Sequence, residues 1–280
     1  MITPIKVRGY CFNNTTKNLE EYKDFYLSQT AVKDLEKDTT CPDRWRAQWL
    51  TKELHFPSNE DMDKGKYFEW RAIGAGAISG EDVTDLPRTG AGKKTADHIR
   101  IDEQVERFKN LFDPNHPEFQ GFEIINTQVE MKVGNRKGTI DFVTTHLETK
   151  ETWINDLKLT RDATSTRSEY GWGHDWKDLD LMQMVHYRDL YSETFKIVPR
   201  VALWVFDYSP MKIIKIGELL ISQKAVDKKN LRFESAAEVI ELYNKNGWVK
   251  LPSEKECKDC KLNCEFRKKP DPIEKLIVSI

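Results

Sequence analysis

The sequence predicts an α/β fold, a central mixed β-sheet flanked by helices. Strand-like runs of β-branched and aromatic residues occupy 122–133, 138–145 and 152–159, with a Gly134-Asn135 turn between the first two. A helix over 178–195 follows, with Leu181, Met184, Val185 and Leu190 on one face. Two further strands are expected at 198–208 and 212–220. Three strands, a helix and two more strands describe a mixed sheet with helices packed against it.

The flanking helices are expected from their own patterns. Residues 17–36 read as a charged surface helix, and 43–56 as a helix carrying Trp45, Trp49, Leu50 and Leu54. Another helix runs over 65–73 with Tyr67, Phe68 and Trp70. A Gly-, Thr- and Asp-rich loop spans 74–96, and a helix over 97–112 ends before Asp113-Pro114. A last helix is expected over 235–246.

A chain of 280 residues can bury a substantial core. With 39% hydrophobic and 32% charged residues, it has no apolar run near the roughly 20 residues that span a bilayer. The start, Met1 to Arg8, lacks an apolar signal core, so a cytoplasmic location is expected. Net charge is −2, so any polyanion must be met by a local patch.

The chemistry concentrates between Gly138 and Lys158. Asp141 is planted in one strand, Asp156 and Lys158 in the next, and alternate positions share a strand face. Two acids and a lysine at the ends of neighbouring strands can hold a divalent metal, a water and a phosphate. Asp141 and Asp156 are the natural ligands for Mg²⁺ or Mn²⁺, with the Leu157 carbonyl as a third oxygen, and Lys158 can orient water or hold a phosphate oxygen.

This constellation resembles the PD-(D/E)xK nuclease superfamily, in particular its RecB-like branch, which includes CRISPR-associated adaptation exonucleases and the AddB nuclease domain. The resemblance implies a restriction-endonuclease-like core. It implies metal binding by Asp141 and Asp156 and a catalytic Lys158. It also places Gln183 and Tyr187 on the next helix as orienting or strand-contacting residues; at i and i+4 they share a face. Gly65-Lys66-Tyr67-Phe68-Glu69 matches an upstream helix motif whose last residue, here Glu69, binds metal, with His98 as a substitute.

Five cysteines are present: Cys11, Cys41, Cys257, Cys260 and Cys264. By spacing, the last three suit metal ligation by either a [4Fe-4S] cluster or Zn²⁺. A sub-branch of the family joins its termini through an iron-sulfur cluster, and Cys41-Pro42-Asp43-Arg44-Trp45 with Cys257, Cys260 and Cys264 matches it. The implied organisation is an N-terminal helical segment (1–60), a nuclease core (61–222), and a C-terminal helix and cysteine tail (223–280) packing back on the N-terminal segment. Cys11 is left as a buried thiol.

The resemblance implies a DNA exonuclease. A DNA-binding subunit without activity and a restriction-type endonuclease are the alternatives. Gly90 to Thr95 is not a phosphate-binding loop: Pro87 stands where the first glycine belongs, and Lys94 where Ser or Thr belongs. It reads as a flexible basic loop. The loop 161–176, with Arg161, Arg167, Tyr170, Trp172 and Trp176, has two open readings: rings that stack bases, or rings that cap the core.

Overall fold

The structure, a computed structural model, describes residues 25–37, 40–55, 58–74, 85–117, 119–167, 171–248, 250 and 262. These fall into two compact units, one formed by residues up to 57 and from 227 onward, the other by residues 58–226.

The larger unit is a five-stranded sheet in the order β1-β2-β3-β4-β5. The strands are Phe122–Val133, Arg136–His146, Thr152–Thr160, Arg200–Asp207 and Ile214–Glu218. β1, β2 and β3 run antiparallel in sequence, and the first turn closes because Gly134 takes φ +56 at no steric cost. β3 and β4 are parallel, from Trp153↔Arg200 to Thr160↔Asp207. That pairing demands a crossover, and helix α5 (Met182–Phe195) lies in it. β5 returns antiparallel to β4.

Helices α3 (Glu60–Ile73) and α4 (Ala96–Leu111) cover one face of the sheet. Tyr67, Phe68, Ile101, Val105 and Phe108 pack there on Phe142, Leu157, Trp204 and Phe206. Phe108 alone meets Phe142, Trp204 and Phe206 in edge-to-face or tilted contacts, so truncating it to Ala would cost about 3–5 kcal/mol. Helix α5 covers the opposite face, where Met184, Leu190 and Tyr191 meet Ile140, Ile154 and Val201.

The caps explain where these helices begin. Asn59 accepts from Met62 N at 2.9 Å, and three acids, Glu60, Asp61 and Asp63, favour the first turn of α3. Gly74 ends that helix in the left-handed conformation. Thr95 caps α4 through His98 N.

Several expected bounds shift. Within 17–36 only α1 (Gln29–Leu35) is helical among the described residues, because Ser28 is extended and caps it; residues 17–24 lie outside them. The helix expected over 43–56 is α2 (Pro42–Trp45) followed by a π-helical turn, Arg46–Leu50, whose wider bonding puts Thr51 N on Arg46 O. Both indoles there bond back to α1, Trp45 to Ala31 O and Trp49 to Asp34. α5 starts at Met182 instead of 178, since residues 176–178 form a 3₁₀ turn and Asp180 caps Met182 N. β4 starts at Arg200, after Pro199, which has no N–H for the ladder.

The last helix, α6, is twice the expected length, Gln223–Asn246. Its charged first half has no apolar period, yet Arg232 forks onto Glu36 of α1 and Lys229 is buried. Phe233, Ala236, Val239 and Ile240 pack with Leu27, Val32 and Trp45 into the core of the smaller unit. No helix among the described residues is long and apolar enough to cross a membrane.

Candidate active site

The sheet is interrupted at Asp141 on both sides. Toward β1 the ladder skips from Thr127↔Phe142 to Val129↔Ile140, and the residue between, Gln128, takes φ +49. A left-handed backbone is uncommon for Gln and costs about 1–3 kcal/mol where the surroundings hold it. Toward β3 the ladder ends at Phe142↔Asn155. The next free donor, Leu157 N–H, turns to the Asp141 side chain, 2.6 Å from Oδ2. In a strand the N–H and C=O of one residue leave on the same side, so the Leu157 carbonyl faces this opening too.

Asp156 and Lys158 stand on the α5 face of β3, opposite the face of Leu157. Asp156 is 1% exposed. Its Oδ2 lies 2.6 Å from Lys158 Nζ, and apart from that ammonium neither carboxylate oxygen meets a hydrogen-bond donor among the described residues. A buried carboxylate with so few donors is costly unless something else satisfies it.

Glu69 reaches the same place from α3. Tyr67 and Phe68 anchor that turn in the core, and Gln128 Nε2 donates to Glu69 Oε1. The left-handed kink in β1 therefore serves a hydrogen bond to the third acid. Burial, and the negative charge of Asp156, hold the Glu69 carboxyl above its usual range despite Gln128 and Lys158. Asp141 is raised well above its own, by burial first, then by Asp156 and Glu69, against Lys158 and the Leu157 N–H. Burial works against charge on Lys158, but Asp156 and Asp141 outweigh it and raise the ammonium above the ordinary lysine value. Asp141, Asp156, Glu69 and Lys158 thus share one electrostatic field, three acids against one cation.

Gln183 and Tyr187 join from α5. Gln183 Nε2 donates to Tyr187 Oη at 2.7 Å, and the phenol is raised by burial and by the fields of Asp156 and Asp141. Gly138 makes this approach possible: a Cβ there would stand 2.8 Å from Tyr187 Cε1 and 3.0 Å from Leu190 Cδ1. The arrangement leaves Gln183 one hydrogen bond from the acid cluster instead of in it.

Metal binding can be tested on these residues. Among the described residues, no three acidic, His or Cys side chains converge at ligand spacing; Lys158 occupies Asp156, and the Leu157 N–H occupies Asp141. The donor set nevertheless fits a hard divalent cation: three carboxylates and a carbonyl, with Asp156 short of donors and Asp141 and Glu69 raised above the usual carboxylate range by burial and acidic neighbours. Mg²⁺ or Mn²⁺ would be held by Asp141, Asp156, Glu69 and the Leu157 carbonyl.

His98, the substitute for Glu69, does not belong to this group. It is buried, with Nε2 3.1 Å from Tyr67 Oη, and lies 3.7–3.8 Å from Asp85 and Asp102. The basic loop is a tight turn: Arg88 bridges Lys94, Gly92 N bonds to Thr89 O, and Lys94 pairs with Asp102. Lys94 is thereby committed to α4 instead of to a phosphate. Of the loop rings, Trp172 and Trp176 pack on Ala163, Leu203 and Val205, and a Cβ on Gly217 would sit 2.5 Å from the Trp176 ring. They cap the core; Tyr170 lies outside the described residues.

Cys41 is 9% exposed and stands at the N-terminus of α2, ahead of Pro42. Cys11, Cys257, Cys260 and Cys264 lie outside the described residues. Leu262, between Cys260 and Cys264 in sequence, is described, and it packs on Ala47 and Leu54, just downstream of Cys41. Leu262 thus packs on the segment that follows Cys41, within the smaller unit.

Sequence reasoning missed Gln128. The only trace was the polar run Asn126-Thr127-Gln128 inside an otherwise strand-like segment.

No family model matches the chain, and no curated protein matches it in sequence. Among solved structures it is similar to a protein named "Putative exonuclease" from Eubacterium rectale, with 17% identity and a TM-score of 0.57, over 95% of this chain and 100% of that one. A second solved structure, SSO0001, aligns over 85% of this chain and 84% of its own at 16% identity, with a TM-score of 0.33. At this identity the first likeness concerns the fold: this chain shares the mixed α/β architecture of the Eubacterium rectale protein along nearly its whole length.

Proposed function

We propose that the protein is a metal-dependent nuclease that hydrolyses phosphodiester bonds of DNA, working from a free end. The observation that carries this reading is the buried Asp156 carboxylate, which has only Lys158 as a donor among the described residues and lies in the field of two further acids, Asp141 and Glu69. Three acids crowded so that two of them are raised above the usual carboxylate range form a demand for positive charge. Mg²⁺ or Mn²⁺, when bound, would supply that charge and compensate the developing charge on a phosphate. The exonuclease character and the DNA substrate rest on the resemblance in sequence pattern and on the fold shared with the Eubacterium rectale protein.

The chain's own residues then have distinct tasks. Asp141, fixed by the Leu157 N–H, and Glu69, fixed by Gln128, present oxygens in set orientations. Lys158 remains charged across the physiological range and, once released from Asp156, can hold a phosphate oxygen or orient the attacking water. Tyr187, kept protonated by burial and bonded to Gln183, is an O–H donor beside the reacting centre. Cys41, Cys257, Cys260 and Cys264 are proposed to hold a [4Fe-4S] cluster, or Zn²⁺, that ties the tail to the Cys41 segment; Leu262 packing near that segment supports it.

Purified protein with Mn²⁺ and end-labelled linear single-stranded, linear duplex and circular DNA tests the proposal. Linear DNA should shorten in a ladder while the circle survives. Cleavage undiminished in excess EDTA would remove the metal from the mechanism, and rapid loss of the circle would make the enzyme an endonuclease.

A further inference from the structure

Beyond Lys158, at the carboxyl ends of the parallel strands β3 and β4, the sheet opens into a cavity of about 810 Å³. Thr160, two positions after Lys158 and on the same face of β3, lines it. So do three arginines: Arg161 and Arg167 from the loop after β3, and Arg100 from α4. Pairs of parallel strands offer ligand sites at this end, outside their carboxyl termini.

The charges there are unevenly committed. Arg100 reaches Asp97, and Asp97 in turn bonds to Lys64. Asp162, the other acid of the lining, is occupied by the Thr164 N–H and hydroxyl, at 2.8 and 2.6 Å. Arg161 and Arg167 are exposed, and neither guanidinium makes an ion pair or side-chain hydrogen bond among the described residues. On the far side, beyond β4, Met211 is 70% exposed at the rim. A chain of net charge −2 has here a local cationic recess beside its acid cluster.

We propose that this recess binds the phosphodiester backbone of the strand being cut, with Arg161 and Arg167 each engaging a phosphate away from the scissile one. This rests on the nuclease reading above. Planar guanidinium forks suit phosphate oxygens, and backbone contacts of this kind hold a strand in register without reading its sequence. Arg161 follows Lys158 by three positions, about 10 Å at a strand's rise per residue, which places it within reach of a phosphate next to the scissile one or a few nucleotides away. Trp172, half-buried against the Ala163, Leu203 and Val205 cluster, forms part of the wall. The recess grips backbone and is indifferent to base identity.

The test measures binding of a fluorescein-labelled oligo-dT strand by anisotropy, in EDTA, over a series of KCl concentrations. Full-length wild type, Arg161→Gln, Arg167→Gln and a control, Arg200→Gln, are compared; Arg200 pairs with Glu218 and Glu151 away from this recess. Each recess variant should lose about three- to tenfold in affinity and flatten the log–log salt slope by about 0.7. With Mn²⁺ the same variants should raise KM while keeping kcat, and the control should match wild type in both. Recess variants with the wild-type slope and KM overturn this inference and leave the nuclease reading standing. An arginine-dependent slope in a protein that never cuts DNA keeps the recess and overturns the nuclease reading. A wild type that fails to bind the strand overturns both.

Discussion

Two networks of buried charge lie in the larger unit, and they are built on opposite terms. Around Asp102 the carboxylate has its donors: it accepts from Tyr67 Oη at 2.6 Å and pairs with Lys94, and Tyr67 also meets His98, whose Nδ1 has no partner among the described residues. Burial pushes the Asp102 carboxyl up, but Lys94 and Tyr67 more than offset it, and the group sits below its usual range. Around Asp156 donors are scarce, and Asp141 and Glu69 sit above theirs. Both regions are acidic, both are partly buried, and both include one lysine. Donor supply separates the two central carboxylates: a satisfied Asp102 helps hold α3, α4 and the 85–95 turn together, whereas an underprovided Asp156 is poised for an external cation.

The comparison breaks first on activity. Asp141→Asn, Asp156→Asn and Lys158→Ala should each lower cleavage on the order of 10³-fold or more, with unchanged circular dichroism. Asp102→Asn should retain cleavage per folded molecule. Near-native turnover by any two of the first three would place the reacting centre elsewhere.

Cys41 is a buried polar group whose class is open to the same reasoning. If its need is met by a metal, Cys41→Ala, Cys257→Ala, Cys260→Ala and Cys264→Ala should each remove bound iron and several kcal/mol of stability, since metal-binding free energy becomes folding free energy. Cys11→Ala should be mild. Elemental analysis after anaerobic purification decides it: stoichiometric zinc would change the metal and keep the ligands, and a Cys41→Ala protein with full metal content would remove Cys41 from the centre.

The stability effects should carry opposite signs. Asp102→Asn should cost about 1–2 kcal/mol at neutral pH, the lower figure reflecting partial solvent screening. A depressed folded-state pKa contributes stability that is present above the unfolded value, about 3.9, and lost as pH falls through the lower folded value, so this cost should shrink in acid. Asp141 is the reverse: its raised folded-state pKa contributes stability below about 3.9 that is lost as pH rises through the higher folded value. In EDTA, Asp141→Asn should therefore gain in Tm relative to wild type as pH rises toward neutrality, and Mn²⁺ should cancel the gain. A Tm difference independent of pH would mean that the carboxylates do not repel.

The smallest effects should come from the α5 contacts. Gln183→Ala, which removes only the partner of Tyr187, should slow cleavage roughly tenfold. Gly138→Ala should do similar damage by pushing Tyr187 and Leu190 aside, with about 1–3 kcal/mol of overpacking. Tyr187→Phe in the Gly138→Ala background distinguishes the routes: no further loss is expected if the displaced hydroxyl was the cause.

Much of this molecule was legible in its residues taken in order. Period-two and helical patterns marked β1 to β5, α3, α4 and α5 because burial of one face dictates residue type locally. Asp141, Asp156 and Lys158 stood out because carboxylates inside β-branched strands conflict with packing unless they are used. α6 was half missed: its first half is held by Arg232 on Glu36, nearly two hundred residues away, and leaves no local period. Only the tertiary structure brought Glu69 to Asp156 and Gln128 to Glu69, left Asp156 with Lys158 as its one donor among the described residues while giving Asp102 both Tyr67 and Lys94, and buried His98. Electrostatic satisfaction is a property of what surrounds a group from every side, so it is decided when distant segments meet, whereas periodicity is written wherever neighbouring residues must share a face.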